Sequence, residues 1–115
     1  MKRLHVSIGV EDLAKSVRFY EALFGREPTL HKTDYVQWIL DDPSVNFSIV
    51  DGRQGGVTHL GIQAENEQEL EEIYARFDAT DQAILDEGET TCCYARSNKQ
   101  WVSDPQGIRW EGFLT

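Results

Sequence analysis

The only two cysteines of the chain stand side by side in Thr90-Thr91-Cys92-Cys93-Tyr94-Ala95. Thiolate sulfur prefers soft, polarisable partners to hard oxygen-binding ions, so a vicinal pair can offer two sulfurs to one thiophilic metal or metalloid. Free cysteine also serves as a small buried hydrophobe. Successive strand side chains face opposite ways, however, and a one-faced sheet does not ask for two in a row. A second set of donors is His5, His59 and Glu111. The histidines stand near the starts of two β-like runs, 54 positions apart, and Glu111 falls in the last β-like run, where burial would favour an apolar residue. Two imidazoles and one carboxylate around an open coordination sphere are the donors of non-haem Fe(II) sites, and they also accept nickel, cobalt, manganese or zinc. The plainer reading leaves the histidines in local hydrogen bonds and Glu111 at solvent. His31, beside Lys32 and Thr33 in a polar turn, reads as a surface residue.

These residues need elements to position them. Leu4 to Val10 alternates, with Leu4, Val6, Ile8 and Val10 on one face and His5, Ser7 and Gly9 on the other, which predicts a strand. Glu11 or Asp12 can open a helix in which Leu13, Val17, Tyr20, Leu23 and Phe24 recur at helical spacing, and Gly25 ends it. Strands are expected over Asp34 to Leu40 and Val45 to Val50, with Asp41-Asp42-Pro43-Ser44 turning the chain and a Gly-rich break from Asp51 to Gly56.

The pattern then restarts. Val57 to Ala64 alternates with His59, Gly61 and Gln63 on one face. Asn66 and Glu69 occupy capping-box positions, and Leu70, Ile73 and Phe77 supply a helical stripe. Three short β segments are expected around Ile84 to Asp86, Thr90 to Arg96 and Gln100 to Ser103, then a turn at Asp104-Pro105-Gln106-Gly107 and a last strand, Ile108 to Leu114. The halves repeat one strand-helix-strands unit. The expected fold is α+β: two βαβββ modules, about 1–54 and 55–115, in a single domain with a curved mixed sheet and helices outside. If the two leading strands pair, His5 and His59 share the face away from the helices, and Glu111 projects to the same side. The matching strand of the first half offers Asn46, Phe47 and Ser48, none a strong ligand, so open positions remain for water, oxygen or substrate, as in a catalytic metal site.

With 11 basic against 20 acidic side chains, the formal charge is −9, which excludes nucleic acid and anionic membrane as favoured partners. Adjacent thiols close no useful disulfide loop and no secretory signal is visible, so reduced thiols and a cytoplasmic location are expected.

Several segments carry a resemblance: Glu11-Asp12-Leu13, Ser16-Val17-Arg18-Phe19-Tyr20, Leu23-Phe24-Gly25, Asn46-Phe47, His59-Leu60-Gly61, Trp101-Val102, Asp104-Pro105-Gln106-Gly107 and, above all, the Thr-Cys-Cys-Tyr-Ala run followed by Lys99-Gln100-Trp101. With the duplicated modules, they resemble the vicinal oxygen chelate superfamily of glyoxalase I, extradiol dioxygenases and bleomycin-resistance proteins. Within it they look like the ArsI-type carbon-arsenic lyases and the related cadmium-induced CadI proteins. The resemblance implies that His5, His59 and Glu111 hold Fe(II) and that Cys92 and Cys93 bind a trivalent organoarsenical. It further implies that dioxygen is used to break the carbon-arsenic bond, as of methylarsonous acid, releasing arsenite. Lys99 or Arg96 would help by favouring thiolate. Rival readings are an arsenic- or cadmium-sequestering protein without turnover and another glyoxalase or dioxygenase of the superfamily. The site forms either within one chain or across a homodimer.

Overall fold

Alternation in the first residues produces β1 (Arg3–Val10), and Asp12 both ends that run and caps α1 (Leu13–Phe24). The Asp12 side chain accepts the Lys15 backbone N–H at 3.0 Å, supplying one of the donors a helix start leaves unpaired. Gly25 closes the helix at φ 71°, a left-handed conformation that costs glycine nothing. The computed structural model describes residues 1–52, 55–92 and 95–115. They divide into two units, one of His5–Thr58 and one of Met1–Leu4 with His59–Thr115.

In the first unit α1 is followed by β2 (Leu30–His31), β3 (Tyr35–Asp41) and β4 (Ser44–Asp51), in the sheet order β2-β3-β4-β1. The antiparallel β3–β4 ladder sets Trp38 opposite Phe47. Tyr20 and Phe24 of α1 meet Phe47 with ring centroids 4.7 and 5.1 Å away, in tilted and edge-on contacts of the kind aromatic quadrupoles favour. Val10, Val17, Val36, Leu40 and Ile49 complete this core. Leu23, expected with the apolar stripe, is 61% exposed. At about 100° per residue it lies well round the helix from Val17, whereas Leu13, Tyr20 and Phe24 cluster near it. His31 is exposed as expected, but it sits in β2, pairing with Val36, not in a turn. A two-residue strand carries too little periodicity to be read beforehand.

The second unit runs β5 (Gly56–Ala64, from His59 onward), α2 (Glu67–Ala79), β6 (Ile84–Cys92), β7 (Ala95–Ser103) and β8 (Arg109–Leu114), in the order β5-β8-β7-β6. The β5–β8 pairing is parallel and the others antiparallel. Both units are therefore βαβββ modules, and the α+β class read from the sequence holds. The three short segments expected after α2 are instead two nine-residue strands. Gly88, at φ 60°, does not break the first of them: the register shifts between Asp86 and Gly88, and the Asp86 side chain accepts the Gly88 N–H at 2.8 Å, making a bulge that lets pairing continue.

Leu70, Ile73 and Phe77 of α2 are buried against Ala64 and Val102, as their spacing predicts. Asn66 caps α2 by accepting the Glu69 N–H at 2.9 Å. The return bond of the capping box falls one residue early: Glu69 Oε1 accepts from the Glu65 N–H at 2.9 Å, which holds its carboxyl below the ordinary carboxylate range. Asn66→Ala should lower stability by about 1 kcal/mol in urea denaturation. Among the described residues no helix is long and apolar enough to cross a membrane.

Candidate metal centre

Alternation gives β8 two unlike faces. Gly112 lies against Ile73 and Phe77 of α2, so Glu111 and Phe113 face the other way. The parallel register places Gly61 beside Glu111, and His59, two residues before Gly61, lies on the same face of β5. His59 Nε2 is 3.9 Å from Glu111 Oε1. That is too long for a hydrogen bond. It suits two donors of one ion, since ligand atoms each about 2.1 Å from a metal lie no more than about 4.2 Å apart. The other carboxylate oxygen is taken: Lys99 Nζ on β7 donates to Glu111 Oε2 at 2.9 Å, and the two residues are only 6% and 5% exposed.

Trp101 braces the histidine. Its ring meets that of His59 edge-on, with centroids 5.1 Å apart and planes at 74°. Its indole N–H donates to Glu87, and the Arg109 guanidinium lies 4.6 Å over its face, a cation–π contact. The imidazole therefore rests on a side chain that is itself held from two sides.

His5 lies in the other unit, on the face of β1 away from α1. Ser7 shares that face and Asn46 and Ser48 the corresponding face of β4, and all four are buried. His5 Nδ1 is 3.1 Å from the Asn46 carbonyl oxygen. A carbonyl only accepts, so Nδ1 is the donor, which in the neutral ring leaves the lone pair on Nε2. That second bond is the one that fixes metal-ligating histidines in position and tautomer. Asn46 Oδ1 in turn accepts from Gln37 Nε2 at 2.9 Å. The structure thus brings His59 and Glu111 together and anchors His5 to the Asn46 carbonyl within its own unit. Cys92 is the last residue of β6, its backbone paired with Ala95. The side chain of Cys92, all of Cys93 and the side chain of Arg96 lie outside the described residues.

The family model of the Glyoxalase/Bleomycin resistance protein/Dioxygenase superfamily matches residues 2–111. The chain belongs to that superfamily. A relative from Bacillus sp. (strain MD1), named trivalent organoarsenical cleaving enzyme, is 42% identical over all of this chain and 74% of its own length. The cadmium-induced protein CadI of Mycobacterium tuberculosis (strain ATCC 25618 / H37Rv) is 33% identical over 96% of this chain and 74% of its own. Among solved structures, the Mn(II)-bound glyoxalase from Novosphingobium aromaticivorans superposes with a TM-score of 0.70 at 16% identity, over 99% of this chain and 40% of that one. At that identity the likeness is one of fold.

Superfamily membership agrees with the donor chemistry, since a neutral imidazole and a carboxylate suit a divalent cation. The places of two residues beside these donors escaped the sequence reading. Lys99, expected to serve the thiols, donates to Glu111, and Trp101 was not assigned a role beside His59. The signal for Lys99 was its place in the polar run Arg96-Ser97-Asn98-Lys99-Gln100, which became meaningful once β7 was paired with β8.

Proposed function

We propose that the chain is an Fe(II)- and dioxygen-dependent lyase that cleaves the carbon-arsenic bond of trivalent organoarsenicals such as methylarsonous acid, leaving inorganic arsenite. His5, His59 and Glu111, each offering one ligand atom, are the proposed metal ligands. Cys92 and Cys93 are the proposed arsenic ligands. The observation that carries this reading is a buried carboxylate facing an imidazole at 3.9 Å, on a chain 42% identical to a named organoarsenical cleaving enzyme. When bound, the iron supplies a Lewis-acidic, redox-active centre for dioxygen. The chain's own residues do the rest. Two thiolates displace arsenic-bound hydroxyls and hold the soft centre, which fixes the substrate's orientation and removes much of the entropic cost of reaction. The Asn46 carbonyl holds the His5 proton at Nδ1, and the Trp101 ring limits the tilt of His59.

The 33% identity to a cadmium-induced protein favours a second reading, sequestration of arsenic or cadmium by the thiols alone. The same assay separates them. Ferrous-loaded protein with reduced thiols is mixed with methylarsonous acid in air, and arsenite is measured by chromatography with elemental mass detection. Turnover is expected in the wild type. It should fall by at least about a hundredfold in Cys92→Ser, Cys93→Ser, His5→Ala and Glu111→Ala, with arsenical binding kept in the last two. A wild type that binds the arsenical and releases no arsenite is a sequestering protein, and the lyase reading is then wrong.

A further inference from the structure

We infer that Lys99 is a positioning residue of the proposed metal centre, restricting Glu111 to a single ligand oxygen by occupying the other. The inference rests on the metal reading above and concerns how many coordination positions that centre keeps open. A glutamate carboxylate binds a cation through one oxygen or chelates it through both. Here Lys99 Nζ sits 2.9 Å from Oε2, while Oε1 is the oxygen facing His59 Nε2. Strand register enforces the division. Trp101 is directly opposite Glu111 and Lys99 is opposite Phe113, so Lys99 is the diagonal neighbour of Glu111 on one face of an antiparallel pair. Both side chains are more than nine-tenths buried, so little water competes for the ammonium or for Oε2. With one oxygen from Glu111 and one nitrogen from each histidine, a six-coordinate ion keeps three positions. Chelation by Glu111 would close one of them.

Two substitutions push this division in opposite directions. Lys99→Met removes the donor to Oε2 and a positive charge. Lys99→Arg presents a fork that takes both oxygens at once. Manganese(II) alone is the probe, with no arsenical or dioxygen: its affinity is read by electron paramagnetic resonance and its bound waters by water-proton relaxation. Lys99→Met should bind Mn(II) several-fold more tightly, and relaxivity per bound ion should fall by about one third as one of three waters leaves. Lys99→Arg should bind at least about tenfold more weakly, the scale of a lost supporting contact.

A lysine that only stabilises the fold would weaken binding in both variants and leave relaxivity per ion unchanged, and that result overturns the inference. If one variant does not fold by circular dichroism, the other decides: unchanged relaxivity in Lys99→Met or unchanged affinity in Lys99→Arg is each sufficient against it. Wild-type protein that binds Mn(II) no better than Glu111→Ala removes the metal reading, and this inference goes with it. Tight wild-type binding that ignores Lys99 removes the inference alone.

Discussion

A single methyl group added at residue 112 should destabilise the chain by about 1 to 3 kcal/mol, the usual cost of overpacking a filled core. Gly112 is on β8, with β5 hydrogen-bonded on one side and β7 on the other, so the strand has little freedom to move away. A Cβ there would lie 2.6 Å from Ile73 Cγ2 and 3.0 Å from Phe77 Cε2 and Cζ, against ordinary carbon contacts of about 3.5 to 4.0 Å. Neither neighbour can give way cheaply, since Ile73 and Phe77 are both buried in the α2 stripe. Urea denaturation of Gly112→Ala should show a lower midpoint with an unchanged slope. Ile73→Ala removes the methyl that collides. The double variant should therefore lose less than the sum of the two single losses, and strict additivity would show that the helix had simply moved aside. Because Glu111 is the next residue, any shift of β8 also displaces the carboxylate from His59.

Much of this architecture was legible because local rules and the global fold agree. Asp12, Gly25 and Asn66 announce helix ends through side-chain and backbone chemistry that acts within a few residues, and the structure uses all three. The period-two alternation of Leu4 to Val10 and Val57 to Ala64 assigned His5 and His59 to the faces away from the helices. Alternation does not say how deeply a face is covered. His5, Ser7, Asn46 and Ser48 lie on a polar face and are nonetheless buried. The misread segment was Ile84 to Ser103, where Gly88 falls in the gap between the first two expected segments. Its effect is set by the opposite strand, whose continued pairing turns a break into a bulge. The place of Lys99 was missed for the same reason: its nearness to Cys92 and Cys93 along the chain suggested a partner for the thiols, and only the ladder sets it diagonally beside Glu111, twelve positions on.

That ion pair carries the second large effect, which is on stability in the absence of any metal. Glu111→Ala, denatured in the presence of a chelator, should lose about 3 to 5 kcal/mol, because it leaves the Lys99 ammonium buried without its anion. Lys99→Met should lose a comparable amount for the complementary reason. Removing both charges is the informative step. The double variant Lys99→Met with Glu111→Ala carries neither an unpaired cation nor an unpaired anion, so it should regain most of what either single change lost. A buried pair costs about as much desolvation as its attraction returns, while half of one has the cost alone. Losses below about 1 kcal/mol in the single variants, a magnitude typical of exposed pairs, would mean that water reaches the site. The expected cycle therefore separates two roles of Glu111. Its partner for folding is Lys99 through Oε2, and its proposed partner for function is a cation through Oε1. The stability loss should appear whether or not metal is supplied, whereas the loss of turnover should follow the metal.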